Sequence, residues 1–177
     1  HYNDVYNNLS ATDTVTNNPT TTKLINATKI SGRTQKGLGI GFFNAVTDAQ
    51  YATVEDLTTK KSRSYQTSPL TNYNILVLDQ TLKNSSSISF INTSVLRGGT
   101  DYGANVTAGL WDFYDKKNTW NFSGKFAVSQ LYGYEAPGKT TLGTEHSVNF
   151  SKTGGRLNFN LWQELASDKY EQNDMGY

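Results

Sequence analysis

A chain of 177 residues and 19.6 kDa is long enough for one domain with a sizeable core, and no break in composition divides it. Its 16 basic and 15 acidic residues are dispersed and sum to +1, which leaves no electrostatic footprint for nucleic acid. The absence of cysteine excludes a disulfide scaffold, a thiolate metal site and a cysteine nucleophile, and no apolar run approaches the roughly 18 residues of a membrane helix.

Residues 1–20 are rich in Asn and Thr without periodicity and are expected to form a loop or N-terminal arm. From there to residue 167, segments of period-two alternation follow one another, the pattern of strands with one apolar and one wet face. Lys23 to Ser31 and Leu38 to Thr47 flank the basic turn Gly32-Arg33-Thr34-Gln35-Lys36-Gly37. A long polar connection is expected over 48–68. Leu70 to Leu82 and Ser87 to Leu96 form the next pair, around Lys83-Asn84-Ser85-Ser86.

Residues 104–113 and 119–129 flank Asp115-Lys116-Lys117-Asn118, with Trp120, Phe122, Phe126 and Val128 on one face and Asn121, Ser123, Lys125 and Ser129 on the other. Thr141 to Phe150 and Arg156 to Leu165 complete the set, and 168–177 is a polar loop or tail. Eight strands of about ten residues suit a tilted crossing of a bilayer. The connections alternate in kind, tight near residues 34, 84, 116 and 153 and longer at 48–68 and 131–140. That is the loop asymmetry of an outer-membrane barrel, although the link at 97–101 is short for it.

Two architectures satisfy the alternation. A membrane barrel turns the apolar face to lipid, whereas a soluble β-sandwich or small barrel buries it and binds a ligand or glycan through loop tyrosines. The uncharged polar character of the second face and the aromatics near strand ends, Tyr73, Trp120, Tyr132 and Trp162, favour the membrane barrel. On that reading Lys29, Arg33, Lys125, Arg156, Asn158 and Glu164 face a lumen. Leu38, Ile40, Phe42, Trp120, Phe122, Phe126, Leu157, Phe159 and Leu161 face lipid.

Other patterns carry less. The acceptor triplets at Asn26, Asn92, Asn105, Asn121 and Asn149 all fall inside strands, where chance in an Asn/Thr-rich chain explains them. Gly37-Leu38-Gly39-Ile40-Gly41 lacks the helix and Lys-Ser/Thr of a phosphate loop. Asp168, Glu171, Asn173 and Asp174 have the oxygens for calcium but no defined loop spacing, and neither a metal set nor a cofactor motif is expected. No nucleophile elbow or paired-carboxylate motif points to an enzyme.

Three stretches carry a resemblance. They are Leu24 to Thr47, the run from Pro69-Leu70-Thr71-Asn72-Tyr73-Asn74 through Leu82-Lys83-Asn84 to Ile91-Asn92-Thr93, and Asn173-Asp174-Met175-Gly176-Tyr177. Together they resemble the C-terminal outer-membrane β-barrel domain of an uncharacterised Gram-negative family whose members typically begin with a carbohydrate-binding-type β-sandwich module. The likeness is closest over about residues 24–131. It implies an all-β, antiparallel, up-and-down transmembrane barrel of more than eight strands in the outer membrane. It also implies contact with membrane lipid and other envelope proteins, and a non-enzymatic role as channel, transport or docking scaffold linked to glycan handling. With no leader-like opening and no closing aromatic strand, the chain is expected to be an internal segment of such a barrel; a complete eight-stranded anchor barrel is the alternative, and it requires 156–165 to pair with 23–31.

Overall fold

The computed structural model describes residues 4–175. The fold is all-β and antiparallel. A short helix, α1 (Asp4–Asn7), and strand β1 (Asp13–Asn17) precede β2 (Leu24–Arg33) and β3 (Leu38–Thr47). Next come β4 (Gln50–Asp56), β5 (Ser62–Ser68), β6 (Thr71–Thr81), β7 (Ser87–Arg97) and β8 (Gly103–Tyr114). The chain continues through β9 (Trp120–Tyr132), β10 (Thr140–Lys152) and β11 (Phe159–Ala166) to a 3-10 turn at Asn173–Met175.

Strands β2, β3 and β6 to β11 form one eight-stranded meander in which each strand pairs with the next one along this series. Strand β1, before the meander, and strands β4 and β5, between β3 and β6, form a separate three-stranded sheet. Two sequence expectations are therefore corrected. The stretch 1–20 carries a helix and a strand among its described residues, and the connection 48–68 is a hairpin whose β4 pairs with β1. The last strand begins at Phe159 rather than Arg156, because the chain is still turning through 153–158.

The connections 34–37, 82–86, 115–119 and 153–158 all lie at one end of the meander, and the other end carries the β4–β5 excursion, the connection 133–139 and the link 98–102, which is as short as the tight turns. Their residues suit the geometry. Asn84 and Ser85, both at φ 57, form the two central residues of a left-handed hairpin turn, closed by Ser86 N–H donating to Lys83 O at 3.2 Å. In the turn after β8, the carboxylate of Asp115 accepts from the amides of Thr119 and Trp120 at 2.6 and 2.9 Å. Those backbone hydrogen bonds, Trp120's first, hold the Asp115 carboxyl below the usual carboxylate range.

Register decides what shares a face. Phe113, Phe122 and Phe150 stand opposite one another across β8, β9 and β10, as do Leu78 and Phe90 across β6 and β7. Their face stays open. Ile40, Phe90, Phe122, Phe126 and Leu161 on it are 42%, 41%, 43%, 49% and 64% exposed. Burying a large apolar side chain is worth about 1.5–3 kcal/mol, so the face as a whole forgoes a stabilisation comparable with the net stability of a domain.

The opposite face carries most of the sheet's buried residues, including Val95, Ala104, Ala127, Ser129, Leu131, Thr141 and Glu145. The sheet is open: β2 and β11 are not paired with each other, so the closed eight-strand arrangement is not formed among the described residues. Gly124 is placed where β9 runs closest to its neighbours, since a Cβ there would collide with the Ser147 carbonyl oxygen and the Trp111 ring.

The small sheet has its own core, in which Val5, Ala52 and Val54 are fully buried with Leu9, Val15 and Tyr65 around them. Arg63 clamps it by donating two hydrogen bonds of 2.7 Å to Asp13, whose side chain is 1% exposed. These bonds, and after them the Ser10 amide at 2.7 Å, hold the Asp13 carboxyl far below its usual range.

Two outcomes follow. Gly124→Ala should destabilise the sheet by about 1–3 kcal/mol, since one of its clashes is with backbone that cannot step aside, measured by urea unfolding against wild type. A lowered folded pKa means that the native state binds fewer protons, so the Asp13–Arg63 contribution is complete above about pH 4 and is lost as pH falls further. Amide exchange in β1 and β4 should therefore accelerate between about pH 4 and 2.5 relative to a matched Asp13→Asn variant, and equal acceleration in the two would remove this role.

Candidate functional site

The less exposed face of the meander carries most of its charges, with Lys152 on the open face against the Trp120 ring. Arg33, Gly39, Asp79, Ser89, Leu110, Lys125, Ser147 and Glu164 lie in one register row that crosses all eight strands. Along that row the charges alternate in sign. Arg33 pairs with Asp79 and also donates to Thr81 Oγ1 at 2.8 Å and to the Gly37 carbonyl at 2.9 Å. Gly39 leaves room for this, since a Cβ there would press on the guanidinium at 3.0 Å. Ser89 donates to the other oxygen of Asp79 at 2.9 Å. Lys125 Nζ lies 2.6 Å from Glu145 Oε1, and the Glu145 side chain is only 3% exposed.

A second polar layer lies toward the tight turns. Asn121 donates to Asp112, Ser123 donates to Asn121 Oδ1 at 3.1 Å, and Asn149 donates to Ser123 at 3.3 Å. Asp112, Asn121 and Ser123, with Ser87, Tyr114 and Lys125, line a recess of about 470 Å³. Hydroxyls, amides and compensated charges in this arrangement solvate a polar solute or a column of water without demanding a particular sign of charge.

The open face is not apolar throughout. Toward the long-connection end its side chains become amides joined to one another. Asn44 donates to Asn72 at 2.7 Å and to Asn74 at 2.8 Å, and Asn92 donates to Asn105 at 2.9 Å. Asn105 and Tyr132 both donate to Gln130 Oε1, at 3.1 and 2.7 Å. The boundary between apolar and amide residues is level on β3 and β6, steps across β7 and β8, and steps back on β9, where Val128 stands opposite Thr107. It falls after Leu76 on β6, yet Leu76 stands opposite Asn92 on β7, and Phe90 stands opposite Gly109 on β8, so from β6 to β8 the boundary steps toward the tight turns.

The residues singled out from the sequence divide by face. Lys29, Arg33, Lys125 and Glu164 lie on the charged face, and Leu38, Ile40, Phe42, Trp120, Phe122, Phe126, Phe159 and Leu161 on the open one. Arg156, Leu157 and Asn158 are in the connection before β11 and belong to neither. Tyr73 and Trp162, expected at an aromatic rim, stand on the charged face. Sequence reading passed over Asp79, Asp112 and Glu145. Their strand parity was the available signal, but only register reveals that each meets a partner. No group of three metal-ligating side chains comes together among the described residues.

Beyond the strands, Glu135 is the most perturbed loop carboxylate. Hydrogen bonds from Lys139 and then from Lys169, the latter at 3.3 Å, lower it to about 2. Both contacts join the 133–139 connection to itself and to the segment after β11.

Lys125 is the counter-charge of an almost wholly buried carboxylate, and removing one partner of such a pair costs about 3–5 kcal/mol. Lys125→Met should therefore destabilise the sheet by roughly 3 kcal/mol in urea unfolding. The double variant with Glu145→Gln should recover most of that loss, and an additive double variant would contradict the pairing.

No curated protein and no solved structure matches this chain. The chain belongs to the family described as Domain of unknown function (DUF5916), which matches it over residues 1–177.

Proposed function

We propose that the eight-stranded meander is a stretch of the wall of an outer-membrane β-barrel in a Gram-negative bacterium. Its open apolar face is set against lipid and its charged face against a water-filled lumen. The single observation that carries this reading is the segregation of the two faces. Large apolar side chains are left exposed across β2 to β11 on one side, while the paired charges, amides and hydroxyls gather on the other, where Phe43, Ile75, Val77 and Ile91 stand among them. A water-soluble sheet would cover such an apolar face, since contiguous exposed patches above a few hundred Å² are rare on soluble monomers. Lipid has no objection to it.

Three further features support the reading. The central strands run from 11 to 13 residues, sufficient to cross about 30 Å of hydrocarbon with tilt. From β6 to β8 the apolar boundary steps in the way a membrane surface would cross strands inclined to the barrel axis. The asymmetry of the two ends, broken only by the short link 98–102, suits an orientation with the tight turns in the periplasm and the 133–139 connection and β1–β4–β5 sheet outside. In a bilayer the unpaired backbone of β2 and β11 would cost several kcal/mol per group, so on this reading each edge joins a further strand and the barrel has more than eight. The role is a non-enzymatic channel, transport or docking scaffold, in contact with lipid and other envelope proteins. Its connection with glycan handling comes from the family resemblance alone.

The lack of native cysteine makes a direct test simple. In membranes from cells making the full-length protein, Ser123→Cys and Ala108→Cys should react with a water-soluble maleimide. Phe90→Cys and Val148→Cys should react only with a lipid-soluble one. A protein that leaves the membrane fraction without detergent, with both faces labelled alike by the water-soluble reagent, overturns the barrel in favour of a soluble ligand-binding sheet.

A further inference from the structure

After β11 the chain does not leave the sheet. Residues 167–174 turn back and cross the charged face from β10 to β7, and four contacts hold them there. Ser167 exchanges hydrogen bonds with the Thr144 backbone at 2.8 and 2.9 Å. Gly143 receives the backbone of Lys169 and Tyr170 so closely that a Cβ would collide with both. The Glu171 amide donates to Ser129 Oγ at 3.1 Å. At the far end Asp174 accepts from Arg97 at 3.2 Å and from the Tyr102 hydroxyl at 2.7 Å, while the Arg97 guanidinium rests 4.7 Å from the Tyr102 ring centroid.

Part of the burial on the charged face lies along this path, while Asn121 and Ser151 near the tight turns and Ala45 on β3 are buried away from it. Ala127, Ser129, Thr141 and Glu145, on the strands the segment crosses first, are 2%, 1%, 6% and 3% exposed. Ser123, nearer the tight turns on β9 and outside the path, is only partly buried. A polar segment that crosses three strand pairs and is caught at both ends is a built feature of the face.

We propose that residues 167–174 form an inward-folded strap that narrows the lumen near its outer mouth and shields the inner-face positions of β9 and β10 from water. The inference rests on the barrel reading for the word lumen, but the shielding can be tested without it. The strap divides the charged face into two parts. The part toward the tight turns, with the charged row and the 470 Å³ recess, stays accessible, whereas the part under the strap is reached only when the strap lifts. A polar solute crossing the barrel would have to displace the strap or pass beside it.

The test uses full-length protein in membranes with single cysteines at Ala127 and Ser123, labelled by a water-soluble maleimide. Ala127→Cys should react at least about tenfold more slowly than Ser123→Cys, in keeping with the amide-exchange-like protection of a buried site that opens only locally. Gly143→Val, which fills the cradle, and separately Asp174→Ala, which frees the far end without touching β10, should each raise the Ala127→Cys rate toward that of Ser123→Cys and leave the Ser123→Cys rate unchanged. The strap is overturned if Ala127→Cys already reacts as fast as Ser123→Cys in the parent, or if neither release variant changes its rate. Failure of Ser123→Cys itself to react would instead count against the water-filled face, and so separates the failure of the barrel from that of the strap.

Discussion

The antiparallel ladder that joins eight strands edge to edge is the constraint on which everything else depends. Each strand's backbone groups are satisfied only by its neighbours, so the register of one pair is passed to the next across the whole sheet. Because side chains alternate with period two, one register error would carry an entire strand's apolar set to the charged side. The tight turns prevent that. Asn84 and Ser85 accept the left-handed conformation at little cost for a short polar pair, and Asp115 ties two amides at the start of β9, so each hairpin can close in one way.

Register converts scattered side chains into collective features. Arg33 and Asp79 are 46 positions apart and become an ion pair; Lys125 and Glu145 become another on adjacent strands. Removed from water singly, either carboxylate would be costly, and the pairing compensates for burial rather than supplying net stability. On the other face the ladder spreads Leu78, Phe90, Phe122 and Phe150 into a continuous apolar surface with no covering layer among the described residues. On the barrel reading proposed above, that apolar surface is set against hydrocarbon and needs no covering layer.

The two ends of the meander differ for a related reason. A tight turn needs only a few residues with permissive backbones, and it fixes the strands it joins. The opposite end has room for insertions, and there the chain has placed an independent small sheet with the core Val5, Ala52 and Val54 and the Asp13–Arg63 clamp. From the same end the segment after β11 turns inward. Its hold depends on the missing side chain of Gly143 and on Ser129 and Arg97, which lie on three different strands.

The local code was legible in the amino-acid order. Alternation located all eight strands of the meander to within a few residues, and their parity separated Leu38, Ile40, Phe42, Trp120, Phe122 and Phe126 from Lys29, Arg33, Lys125 and Glu164. Period two is a property of neighbouring residues, so it survives without knowledge of the fold. The connection 48–68 was not legible as a hairpin, because β5 reads Ser-Arg-Ser-Tyr-Gln-Thr-Ser and β1 reads Asp-Thr-Val-Thr-Asn, too polar to announce strands stabilised chiefly by one another. Arg156 and Asn158 were drawn into the last strand because alternation continues through a turn that backbone geometry places before Phe159. The sequence by itself determined which side chains share a strand face. Only the tertiary structure decided which strands are neighbours, that the charges fall in one row, and that 167–174 lies across them, because each of these depends on contacts between residues far apart in the chain.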